Sequence, residues 1–238
     1  MKNFLTIFST CVCLTAFVGC SYIIDEGKDV IDNKNNQIEN VENNNTQTPT
    51  EEELKEYSFG YTDVHFTHSP SENIKISITY PQFKDTKLSN LNSCIEEFAK
   101  SKFKNVISDI SDTESVTLEE TYSVSYADTE LVSISSKGNL TSSALPYPSL
   151  TNTSININPI TLKEYSITDL LEINVELISK IRTTSAEKEG FNEYLSNISD
   201  DDLRVQLLSS KFYRTDKNIV VLFEVPHAVG DIIEVTID

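Results

Sequence analysis

Asn73-Ile-Lys-Ile-Ser-Ile-Thr-Tyr80-Pro81 is the stretch whose pattern decides the fold. Ile74, Ile76, Ile78 and Tyr80 alternate with Asn73, Lys75, Ser77 and Thr79. Successive strand side chains point to opposite faces, so this two-residue period makes a strand with one buried face. Proline lacks the N–H that a ladder needs, and Pro81 is expected to end the strand. The preceding segment, Tyr57 to Phe66, supplies an antiparallel partner. Beyond Pro81 the period changes: Leu88, Leu91, Ile95, Phe98, Val106 and Ile110 follow helical spacing, while Glu96, Glu97, Lys100 and Lys104 fill the other side. That spacing predicts an amphipathic helix with Asp85 or Thr86 as its N-cap.

Downstream the period returns to two. Val116, Leu118, Tyr122, Val124 and Tyr126 mark a long strand, Asp128-Thr129-Glu130 a turn, and Leu131 to Leu140 the returning arm of a hairpin. Pro146, Pro148 and Pro159 punctuate the next stretch and leave Ser154 to Asn158 as a short strand. Thr168 precedes Asp169-Leu170-Leu171 as a helix start, which Leu177, Ile178 and Ile181 continue. A second helical stretch, Leu203 to Leu208, follows Ser199-Asp200-Asp201-Asp202. Phe212 to Arg214, Ile219 to Val225 and Ile232 to Ile237 read as a closing meander. The fold class is therefore α+β: antiparallel sheets with packed helices, and the length from Glu56 onward suits one ordinary domain or two small intimately associated halves.

Upstream the composition is different. Lys2, an apolar run from Phe4 to Val18 interrupted by Thr6, Ser9, Thr10 and Thr15, and then Gly19-Cys20 form a leader. The run is short for a bilayer span, which takes about 20 apolar residues, and suits a secretory signal over residues 1–19. Phe17-Val18-Gly19-Cys20 resembles the bacterial lipobox, in which the Cys is acylated and becomes the new N-terminus. Residues 20–55 are then a lipidated Cys20 and a polar tether. Asn33, Asn35, Asn36, Asn40 and Asn43 to Asn45 alternate there with Asp32, Glu39 and Glu42, a composition with too little apolar surface to offset ordering entropy. A coil of about 33 residues reaches roughly 30 to 35 Å from its anchor. The expected location is the extracytoplasmic side of a bacterial cell envelope, with the membrane as a partner through the lipid.

Cys11 and Cys13 leave with the signal, so Cys94 is the one thiol of the folded part and stability must come from its core. Leu91, Ile95 and Phe98 place Cys94 on an apolar helical face rather than beside an activating base. The formal charge of -18 argues against nucleic acid, whose phosphates it would repel, and favours basic partners. His65 and His68 stand three apart and His227 is remote, a poor set for zinc. Asp200, Asp201 and Asp202 lack the glycine and spacing of a calcium loop and suit a helix N-terminus instead. Glu119 and Glu120, adjacent on a strand, face opposite ways and cannot share acid–base work. Gly-x-Ser-x-Gly is absent and the six glycines are scattered, so the sequence designates no catalytic residue, metal site or cofactor.

Tyr80-Pro81, the Leu91-Asn92 helix, Tyr122-Ser-Val-Ser-Tyr126 and Leu131-Val-Ser-Ile134 together resemble the extracytoplasmic domain shared by RsiV-type anti-sigma factors and the N-terminal region of PdaC-type peptidoglycan deacetylases. Ile167-Thr-Asp-Leu-Leu171, Phe212-Tyr213, Ile219-Val-Val-Leu-Phe223, Glu224-Val-Pro-His-Ala-Val-Gly230 and Val235-Thr-Ile237 are similar to its closing portion. By this resemblance 56–144 is a DUF4163-type half and 145–238 a DUF3298-type half. The chain departs from the pattern at Ser142-Ser-Ala-Leu-Pro146-Tyr-Pro148, where the family carries glycines and histidine, at Thr161-Leu162, and at His227, where an aromatic is common. The resemblance implies a noncatalytic module that binds a protein or cell-wall ligand; lysozyme is the ligand of the anti-sigma members. The alternative is an envelope hydrolase whose site is assembled from residues distant in sequence.

Overall fold

The computed structural model describes residues 57–108, 114–185 and 190–238; Cys20, the leader and the expected tether lie outside them. Strands β1 (Tyr61–Ser71) and β2 (Ile74–Phe83) are antiparallel, with Val64 opposite Tyr80, and Ile76, Ile78 and Tyr80 are buried as their alternation requires. Pro81 does not end β2, contrary to expectation. The Lys84 N–H donates to Gly60 O across β1, whereas the Phe83 N–H turns the other way to Asn92 Oδ1. By parity the Pro81 nitrogen faces that second side, where pairing with the next strand has already stopped at Thr79, so no ladder bond is lost.

A one-turn 3₁₀ segment, Thr86–Leu88, leads into helix α1 (Ser89–Ser108). Asp85 caps it, accepting from Ser58 N and Lys87 N at 3.0 Å each, and these bonds, Ser58 first, hold its carboxyl below the usual range. Leu91, Cys94, Ile95 and Ala99 are buried; Ile110, at the end of the expected helix, lies outside the described residues. The chain then enters β3 (Val116–Ala127), which runs parallel to β2 from Ile74 opposite Val116 to Thr79 opposite Thr121. The sheets are otherwise antiparallel as expected, and among the described strands β2–β3 is the one parallel pair. A long helix returns the chain to the end where β2 began, so the next strand repeats its direction.

Asp128 closes the β3–β4 hairpin, its Oδ1 accepting from Glu130 N and Leu131 N at 2.8 and 2.7 Å. Strand β4 (Val132–Ser142) is shared along its far edge by β5 (Ser149–Thr151), which the periodicity does not reveal, and β6 (Ser154–Ile157), completing a six-stranded sheet. Gly138 is required here, since a Cβ would meet Thr151 Oγ1 at 2.7 Å and Glu120 Cα at 2.9 Å. Ile78, Leu91, Ile95, Leu118, Ile134 and Ile157 form the centre of the first core.

The second half has four helices, α2 (Ile167–Leu170), α3 (Val175–Ser185), α4 (Phe191–Ser196) and α5 (Asp200–Ser209), packed on a meander of β7 (Lys211–Arg214), β8 (Ile219–Glu224) and β9 (Ile232–Ile237). The single helix expected from Thr168 through Ile181 is two. Leu171 is extended (φ -133, ψ 137), and Asn174 Oδ1 accepts from Leu177 N at 3.0 Å to start the next. Ile178, Ile181, Phe191, Leu203, Leu207, Val221, Phe223 and Val235 make the second core. Because β5 and β6 complete the first sheet, the buried residues of the first core run to Ile157 and those of the second begin at Ile167.

A buried polar relay ties the two halves. Ser133 Oγ donates to Asn156 Oδ1 at 2.6 Å, Asn156 Nδ2 donates to Phe212 O at 2.6 Å, and Arg214 N donates to Ser133 Oγ at 2.8 Å. The Arg214 guanidinium lies 4.0 Å above the Tyr126 ring, and Lys137 pairs with Glu234 at 2.9 Å. Among the described residues no helix is long and apolar enough to cross a membrane.

Candidate functional site

The loop before β5 meets the β8–β9 connection. Proline on either side limits the backbone around Tyr147, whose side chain is held outward with 66% of the residue exposed. One face of its ring stacks on His227, centroids 5.9 Å apart and planes at 18°. His227 begins a one-turn 3₁₀ segment, His227–Val229, and the chain reverses through Gly230 (φ 125) and Asp231 (φ 63). A short polar side chain tolerates that left-handed conformation better than a branched one.

Asp231 is the keystone of the contact. Its Oδ1 pairs with His227 Nδ1 at 2.9 Å and its Oδ2 accepts from Leu150 N at 2.9 Å, so one carboxylate joins β5 to the β8–β9 turn. The Leu150 N–H, and then His227, hold its carboxyl below the usual range. Beside it opens a shallow cleft of about 310 Å³ lined by Ser149, Thr151, Asn152, Glu224 and Asp231, with Leu150, Val225 and Ile232 as its apolar part. A histidine oriented through Nδ1 by a carboxylate is arranged as in a hydrolase base. Among the described residues, however, no hydroxyl or thiol hydrogen-bonds its Nε2. The arrangement as built positions an aromatic surface next to hydroxyl, amide and carboxylate groups.

The residues singled out by sequence fall elsewhere, apart from His227. Cys20 is outside the described residues. Cys94 is buried on the core-facing side of α1. His65 Nδ1 bonds Thr79 Oγ1 at 2.7 Å, while His68 joins Phe66 and Phe103 in a three-ring cluster. The three histidines are thus dispersed, and no three described His, Cys, Asp or Glu side chains converge as metal ligands. Asp200, Asp201 and Asp202 occupy the first turn of α5, where Ser199 Oγ accepts from Asp202 N and Asp200 and Asp201 pair with Arg182 and Arg204.

Glu119 and Glu120 do point to opposite faces, but Glu120 is buried, with Oε1 accepting from Ser136 Oγ at 2.5 Å. Burial, and secondarily Glu120, pushes the Tyr122 phenol far up. Sequence reasoning missed Tyr147 and Asp231. Their signals were the Pro-Tyr-Pro run in a polar loop and the Gly-Asp step after a 3₁₀ turn.

No family model matches the sequence, and no curated protein matches it. Among solved structures, the fold is similar to that of a DUF3298 family protein from Pseudomonas aeruginosa PAO1, at 15% identity and a TM-score of 0.44, covering 76% of this chain and 91% of that one. A member of the DUF3298 family from Bacteroides fragilis NCTC 9343 is similar at 14% identity and a TM-score of 0.42, covering 76% of this chain and 89% of that chain.

Proposed function

We propose that this protein is a noncatalytic binding module, tethered by lipid on Cys20 to the extracytoplasmic side of a bacterial membrane, that engages a basic protein or a cell-wall ligand through the rim around Tyr147. The observation that carries this reading is the exposed ring itself. Its inner face is braced by His227, which is braced by Asp231, which is anchored on Leu150. Side chains satisfied by one another in this way make a rigid surface for contact rather than a set of groups waiting to react. The formal charge of -18 adds attraction for basic partners, of which lysozyme is the one the sequence resemblance suggests.

Calorimetric titration of the full chain in detergent with a basic lysozyme tests the protein ligand. Heat of binding is expected at low ionic strength, with affinity falling as salt screens the charges. Absence of heat at every salt concentration sinks lysozyme as the ligand. Cys20→Ser is expected to move the protein from the membrane fraction to the soluble one, and unchanged retention and mass refute the anchor.

The hydrolase reading draws on a single observation, the His227–Asp231 pair. It requires a nucleophile at Nε2 and predicts envelope-hydrolase activity that disappears in His227→Ala.

A further inference from the structure

We infer that the outer face of the Tyr147 ring is a stacking platform for one pyranose unit of a glycan, whose hydroxyls are met by Asn152, Ser149 and Glu224 in the adjoining cleft. This rests on the proposed function, in which the same rim binds a ligand, and it names the ligand's class.

Three features of the rim point to a sugar. A tyrosine ring with one face against His227 and 66% of the residue exposed presents its other face to solvent. Leu145 and Leu150, two residues before and three after it in the chain, are 43% and 48% exposed, so the same segment offers apolar side chains to the C–H groups of a pyranose. The platform is set before any ligand arrives: Pro146 and Pro148 restrict the loop, and the His227–Asp231–Leu150 chain holds the ring from behind. Little ordering cost therefore remains to oppose a weak stacking contact.

The cleft supplies the polar part. At about 310 Å³ it suits one or two sugar rings better than a protein loop. Asp231 is among its lining groups but spends both oxygens on His227 and Leu150, so it shapes the floor and does not grasp. What remains is neutral apart from Glu224: the hydroxyl of Ser149 and the amide of Asn152, the Thr151 hydroxyl being buried against Gly138. Such a lining, with no cationic side chain, disfavours phosphorylated or sulfated sugars. With a single uncommitted carboxylate it also offers a lysine or arginine less than it offers a row of hydroxyls.

The test is a titration of the isotopically labelled full chain in detergent with chitotetraose and, separately, with maltotetraose, followed by NMR. Saturable shifts are expected for at least one of them at Tyr147, Leu150 and Asn152, together with upfield ring-current shifts of the sugar protons. A charge contact would not produce the latter. Tyr147→Ala is expected to weaken binding about tenfold or more and Tyr147→Phe to preserve it, since the ring face and not the hydroxyl does the stacking. His227→Ala is expected to weaken it severalfold by freeing the ring. The residue is exposed, so an unchanged melting temperature certifies each variant's fold.

No saturable binding to either tetrasaccharide, or equal affinity in Tyr147→Ala, overturns the inference. If lysozyme binds in a Tyr147-dependent way while both sugars fail, the glycan inference falls and the binding module stands. If neither lysozyme nor sugar binds, both fall.

Discussion

In the first half one helix of 20 residues, α1, covers a six-stranded sheet; in the second, four helices of 4 to 11 residues share the work on three strands. A helix below about 12 residues has little stability of its own, so its ends need outside partners. The second half provides them with side chains. Asp169 accepts from Ser166 N, Asn174 from Leu177 N, and Ser199 from Asp202 N. Arg182 of α3 donates to Leu195 O and Ile198 O at 2.7 Å each and to Asp200 at 2.9 Å, closing the end of α4 and the start of α5 at once. The first half is held chiefly by ladder and apolar burial, and the second depends in addition on a network of polar closures. The Ser133–Asn156–Phe212 relay makes the two share their fate.

The strongest test of that sharing is Phe191→Ala, which empties the centre of the second core. A loss of about 3–5 kcal/mol is expected. Denaturant unfolding followed by far-UV circular dichroism and by hydrogen exchange in β2 and β3 should show one transition displaced as a whole. Exchange protection of the first sheet that survives while the second half melts would break the coupling.

Arg182→Leu should cost about 2–3 kcal/mol, because two carbonyls lose charge-assisted bonds. Arg182→Lys should recover only part, since an ammonium does not span three acceptors as a guanidinium does. Full stability of Arg182→Leu would show that apolar burial alone holds the short helices.

The smallest effect concerns pH. The carboxyl of Asp231 has its folded-state pKa depressed below the unfolded value. Its contribution is therefore present above the unfolded value, near 3.8, and is lost as pH falls through the folded one. Asp231→Asn keeps a residue suited to the left-handed backbone. Its melting temperature should lie below the parent's at pH 6 and converge with it as the pH falls through the depressed folded-state value. A constant gap across that range would show that the carboxylate's charge is irrelevant to the turn.

The halves also differ in how much of them was legible. Alternation along Ile74 to Tyr80 and Val116 to Tyr126 located β2 and β3, Asp85 marked the 3₁₀ turn that leads into α1, and the Asp200–Asp202 run marked the first turn of α5, because periodicity and end chemistry are local consequences of backbone geometry. The break at Leu171 and helix α4 escaped, since four to six residues are too few for a helical period to emerge. Glu120 escaped for the opposite reason. It sits on the apolar parity of β3, and only Ser136, sixteen residues later on the neighbouring strand, explains how a carboxylate is accommodated there. In the site, His227 stood out by its chemistry, but its partners Asp231 and Tyr147 drew no notice, being an ordinary turn aspartate and a loop tyrosine.

The sequence by itself determined the α+β class, the main strands and helices, the buried setting of Cys94 and the place of Asp200 to Asp202 at a helix N-terminus, all of which follow from spacing along the chain. Only the tertiary structure decided that β3 lies parallel to β2, that β5 and β6 belong to the first sheet, and that Tyr147 leans on His227 while Leu150 and Asp231 join across 81 positions. The physical reason is the same in each case. Local pattern specifies which face of an element is apolar, whereas which surfaces then meet depends on contacts that carry no mark along the sequence.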